Sequence, residues 1–124
     1  MLKEKSYIVG SSASECRKLL QLLGDRINPS GVFSGKKNVE KCLEQLVKNK
    51  KGRKDSLTLL FAAQSHLDKI ASYLKVKSIA DQVILVAFSP SNFDKLPEDV
   101  EIFDAISLSD DCFNPSLFFR RLEG

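Results

Sequence analysis

The stretch "SLTLLFAA", residues 56–63, is apolar almost throughout. A strand apolar at alternate positions leaves one face in water, whereas a strand apolar at nearly every position must be covered on both faces. "SYIVG" (6–10) and "QVILVAF" (82–88) read the same way, and "GVFSG" (31–35) and "DAISL" (104–108) are shorter and weaker versions. The segments between them have helical spacing. Cys16, Leu19, Leu20, Leu22 and Leu23 form a stripe within residues 13–26, with Ser12 or Ser14 placed to cap it. Val39, Cys42, Leu43, Leu46 and Val47 recur at helical intervals over residues 36–50, and Gly52 follows as a stop. Leu67, Ile70, Ala71 and Leu74 mark a third helix. "NPSLFFRRL" (114–122) is a last one, with Asn114 as N-cap and Pro115 at the first helical position.

Doubly apolar strands alternating with amphipathic helices predict an α/β fold, a parallel sheet with helices on both faces. Five strands at this length suit the flavodoxin-like, doubly wound order 2-1-3-4-5. One segment breaks the rhythm. Residues 89–103 should hold the fourth helix, but Pro90 and Pro97 restrict it, since a proline inside a helix removes a hydrogen bond and clashes. One or two turns after Ser91, then irregular chain, are expected there.

Composition narrows the function classes. A chain of 124 residues is the length of one domain. With 43% apolar and 28% charged residues it is an ordinary globular composition. The net charge of +3 does not call for nucleic acid. Most of the excess sits in "KNKKGRK", where Lys48, Lys50, Lys51, Arg53 and Lys54 cluster. That run reads as a solvated loop after a helix, with a patch for nucleic acid, acidic lipid or acidic protein as the alternative. No aromatic residue interleaves with it to stack on bases. The three cysteines, 16, 42 and 112, lack C-x-x-C spacing, and there is one histidine, so zinc is not expected and reduced thiols of a cytoplasmic protein are. "MLKEKSYIV" does not read as a signal peptide, and no apolar run approaches a membrane span.

The order and spacing of these elements, over residues 5–122, resemble the receiver domain of two-component response regulators. "CFNPSLFFRRL" is similar to the receiver passage from fifth strand to fifth helix, commonly K-P-F-[DN]-P-x-x-L-x-x-x-[LI]. "YIVGSSASECRKLL" is similar to the first strand, acidic turn and first helix. The resemblance implies a pocket of defined chemistry. An acidic pair after the first strand holds Mg²⁺ through carboxylate oxygens. An Asp ending the third strand takes the phosphoryl group. A Ser or Thr ending the fourth strand, a Lys ending the fifth and an aromatic switch residue complete it.

Transferred position by position, the pocket is dismantled. The acidic pair falls on Gly10 and Ser11. The phospho-acceptor falls on Phe61, or on Ala62 one residue on. The hydroxyl position falls on Ala87, with Ser89 two residues later, the aromatic switch on Leu108, and the Lys on Asp111, followed by Cys112 in place of Pro. No Asp or Glu occurs between Ser56 and Leu67, so the third strand offers no acceptor in any register. The resemblance therefore implies a pseudo-receiver, a non-enzymatic signalling module working through protein contact or dimerisation, without a cofactor. An output domain attached beyond residue 124 would be usual for that family.

Other readings stay open at this point. "GSSASE" has a faint likeness to the phosphate loop of flavodoxins, which would make the chain an FMN binder, but it lacks the central glycine. Cys16 suggests a cysteine phosphocarrier, except that it falls within the helical stripe rather than in the loop before it. His66, alone near the pocket rim, reads as a capping or surface residue. Phe113, Phe118 and Phe119 concentrate aromatics near the last helix. Helical neighbours lie about 100° apart, so one face should not bury 118 and 119 together. Part of this cluster is then an exposed contact patch rimmed by Arg120 and Arg121, or the rings fill a gap left by the broken fourth helix.

Overall fold

Every residue of β3 (Thr58–Ala63) is buried. It pairs in parallel with β1 (Lys5–Gly10) on one edge and β4 (Val83–Ser89) on the other. β2 (Gly31–Ser34) adds outside β1, and β5 (Asp104–Ser107) outside β4. The result is the flavodoxin-like α/β sheet read from the sequence, five parallel strands in the order β2-β1-β3-β4-β5. This computed structural model describes residues 5–50, 57–91, 101–109 and 113–123. The expected irregular crossover after Ser91 falls at residues 92–100, outside the described residues.

The period of two along a strand divides the core. Tyr7, Val9, Leu60, Ala62, Leu85 and Ala87 point to one face, beneath α2 (Lys36–Lys50) and α3 (Leu67–Val76). Ile8, Leu59, Phe61, Ala63, Val86 and Phe88 point to the other, beneath α1 (Ala13–Leu23) and α4 (Pro115–Glu123). Alternate residues of one apolar strand thus serve two separate cores, and each fully buried Val, Leu, Ile or Phe side chain contributes about 1.5–3 kcal/mol. The edge strands keep partly exposed residues, with Val32 of β2 45% exposed.

Both helices on the second face begin as the sequence indicates. The Ser12 hydroxyl accepts from the Glu15 N–H at 3.2 Å, and the Asn114 side-chain oxygen accepts from the Leu117 N–H at 3.2 Å, with Pro115 next. Each side-chain oxygen satisfies a donor that the first turn leaves orphaned. α1 stops at Gly24, whose φ of 66° suits glycine.

The aromatic cluster near α4 differs from the expected split. Phe118 and Phe119 are both buried, at 2% and 6% exposure. Phe118 points into the sheet, its ring 6.1 Å from Phe61, 5.8 Å from Phe103 and 6.0 Å from Phe113. Phe119 meets Phe118 edge-on at 5.2 Å and is covered from the α1 side by the Arg26 guanidinium, 5.7 Å from its ring. The 100° between neighbours is accommodated because α4 sits in a corner, with sheet on one side and the end of α1 on the other. Phe118 and Phe119 are therefore core, Phe113 is half-buried against them, and the exposed apolar residue of α4 is Leu117, at 51%.

Candidate functional site

Parallel strands deliver all their C-terminal ends to one rim of the sheet. In this strand order the connections from β1 and β3 depart to opposite faces, and the crevice between them is where open α/β sheets bind ligands. Gly10 ends β1 here. Its carbonyl accepts the Gly35 N–H at 3.0 Å and also the His66 imidazole. A Cβ at Gly10 would stand 2.5 Å from the Cys16 sulfur, so the position requires glycine. Ser11 and Ser65 bridge the crevice with their hydroxyl oxygens 2.7 Å apart.

Glu15 is a residue that the sequence reading passed over. Its carboxyl accepts from the backbone and the hydroxyl of Ser11 while its own N–H donates to Ser12. This is a variant of the capping box, whose S-x-x-E spacing is legible in Ser12–Glu15. Only 7% of Glu15 is exposed, Oε1 has no hydrogen-bond partner, and burial raises its pKa despite the Ser11 bonds. The start of α1 thus carries its own carboxyl group, with both polar groups of Ser11 directed to it. A phosphate arriving there would meet that carboxyl.

His66 is corrected from surface to interior. It ends the turn Gln64–His66 leading into α3, is 7% exposed, makes no side-chain cap, and leaves Nε2 without a partner. Burial, then Lys69 and Lys36, lower its pKa, and the Gly10 carbonyl opposes them. The imidazole is accordingly neutral at pH 7.

The other rim positions are apolar or hydroxylic. Phe61 and Ala87 each lie two residues short of their strand ends, at 0% exposure, so the rim residues proper are Ala63 and Ser89. The Ser89 hydroxyl accepts from the Ser91 N–H at 3.3 Å. Leu108, just past β5, is half-buried and donates its N–H to the Ser89 carbonyl at 2.8 Å. Asp111 and Cys112 lie outside the described residues. Among the described residues no three His, Cys, Asp or Glu side chains come together as metal ligands.

The thiols are placed for packing. Cys16 is buried and directs its sulfur to the Phe33 carbonyl at 3.6 Å, and burial with Glu15 raises its pKa. Burial pushes Cys42 up to about 12. Neither is an activated nucleophile. On the outer surface of α4, Arg120 is exposed, while Arg121 pairs with Asp104 at 3.3 Å and lies 5.1 Å from the Phe103 ring. Of the basic run, Lys48 is exposed on α2 and Lys50 closes that helix, while Lys51, Arg53 and Lys54 fall outside the described residues. No helix among the described residues is long and apolar enough to cross a membrane. A second concavity of about 690 Å³, lined in part by Ala71, Leu74, Lys75, Val83 and Leu85, flanks α3 and had no signal in the sequence.

Comparison with protein-family models, curated proteins and solved structures gave no match.

Proposed function

We propose that this chain is a receiver-like signalling domain that operates without aspartyl phosphorylation and acts through protein contact. The observation that carries the reading is the end of β3. Phe61, Ala62 and Ala63 are buried and apolar at the strand end where a receiver's chemistry needs a carboxylate nucleophile. The five-strand order supports the same reading. So do Gly10 and Ser11 at the end of β1, where Mg²⁺-binding acids would be needed. Removing those acids also removes the cost of burying charge beside a dry core.

The contact surface is assigned to the outer side of α4 and the adjoining edge of β5, where Leu117, Arg120 and Arg121 are exposed. A large exposed leucine rimmed by arginines suits an interface better than a free surface. Two measurements test the reading. Acetyl phosphate with Mg²⁺ should leave the intact mass unchanged, and a stoichiometric phosphoryl adduct would refute it. Sedimentation of wild type and Leu117→Glu, alone and with candidate partners, should differ in assembly. Identical behaviour in every mixture would remove α4 from the interface.

A further inference from the structure

The concavity beside α3, about 690 Å³, has the size of a site for a small organic ligand. Its floor is apolar. Ala71 and Leu74 line it from α3, and Val83 and Leu85 line it from β4. Leu74 and Leu85 are buried, and Val83 packs against them as part of the core beneath α2 and α3. The floor is therefore a continuation of that core.

The charged residues that line the concavity stand at its two ends. Asp68 is in the first turn of α3, and Lys75 is in the last. Seven residues at about 1.5 Å each separate them by about 10 Å along the helix axis. Asp81 follows in the turn that leads from α3 into β4. Glu101 comes three residues before Asp104, which pairs with Val86, and the Phe103 N–H continues that pairing onto the Leu85 carbonyl at 2.8 Å. Glu101 thus stands level with Val83 at the start of β4, beside Asp81. One end carries Asp68, and the other carries Asp81 and Glu101 with Lys75. Each end has a net charge of one negative unit, on a chain whose own net charge is +3. All four side chains are exposed, and among the described residues none of them forms an ion pair.

We propose that this concavity binds a linear organic dication, a chain with an ammonium group at each end and an apolar stretch of about 10 Å between them. The apolar stretch leaves water on the floor formed by α3 and β4. Each ammonium donates to a carboxylate that has no other partner, Asp68 at one end and Asp81 or Glu101 at the other. A shorter diamine cannot reach both ends. A monoamine of the same length leaves one end without its cation, and a dicarboxylate is repelled at both. The site is on the α2 and α3 face of the sheet, opposite α4, and uses none of the positions where a receiver holds its phosphoryl group.

The test is an amide NMR titration of the whole chain with octamethylenediamine at low ionic strength. The expected result is saturable shifts at Ala71, Leu74 and Leu85, weakening as salt is added. Octylamine and tetramethylenediamine should each bind on the order of tenfold more weakly, and suberate should not shift these amides. Asp68→Asn and Glu101→Gln, at opposite ends of the floor, should each lower the affinity for octamethylenediamine about fivefold, the loss of one exposed ion pair. Glu40→Gln, whose carboxylate is already held by Lys69 at 3.1 Å, should change nothing. Absence of saturable shifts with octamethylenediamine overturns the proposal. So does octylamine binding as tightly as the diamine, which would mean that one end alone is used, or an affinity indifferent to both acidic substitutions. Failure would leave the receiver-like reading intact, because that reading concerns β3 and α4.

Discussion

With a Cβ only 2.5 Å from the Cys16 sulfur, Gly10→Ala must push α1 outward or distort the end of β1. Overpacking of this kind costs about 1–3 kcal/mol, and a urea melt of the variant should show it as a lower midpoint at unchanged slope. His66 sets a pH dependence. Its folded pKa lies below the ordinary 6.5, so the unfolded chain binds more protons than the folded one as pH drops past that value. The stability contributed by the neutral buried ring is present above 6.5 and is lost as pH falls through the folded value. Denaturant midpoints of wild type and His66→Gln should therefore converge on acidification, and a constant gap would contradict the assignment. Glu15 works in the opposite direction, with a folded pKa raised above 4.5, so its contribution declines as pH rises through that range. The two residues were not equally legible. The S-x-x-E spacing around Glu15 is a local signal, open to anyone reading the first loop. The burial of His66 depends on where the end of β1 at Gly10 falls in three dimensions, and no spacing along the chain encodes it.

Among the elements, α4 shows best where helical periodicity stops being informative. Its cap, first proline and length follow from "NPSLFF", because capping is a contact between residues three apart. Which of its faces is buried does not follow, because a helix in a corner has two covered flanks, and Phe118 and Phe119 each take one. Phe118→Ala should cost about 3–5 kcal/mol, since the ring is ringed by Phe61, Phe103, Phe113 and Phe119. Leu117→Glu, one position away and half exposed, should stay within about 0.5 kcal/mol of wild type. Chemical denaturation of the two variants side by side checks both values. Equal losses would mean that α4 is rotated from the orientation described. The strand ends were legible to within a residue. The apolar run over 56–63 stops where β3 stops, at Ala63, and the run over 82–88 stops one residue before the end of β4 at Ser89, so Phe61 and Ala87, the positions transferred from the receiver pattern, lie two residues inside the rim.

For the molecule as a whole, strand order was readable because burial on both faces leaves a parallel, helix-covered sheet as the arrangement that hides every strand. The proposed function was reached only by subtraction. The strand-end residues Gly10 and Ala63 lack the carboxylates that phosphoryl transfer needs, and the hydroxyls, buried carboxyl and imidazole beside them became visible as a group once the fold assembled them. The account rests most heavily on that missing pocket. Its most direct test is an amide NMR titration with Mg²⁺ and beryllofluoride, a mimic of the aspartyl phosphate. The account predicts no saturable shifts at Gly10, Ala63 or Ser89, the ends of the three central strands. Saturable, Mg²⁺-dependent shifts at those residues would mean that a working phosphoryl site is present and would contradict it.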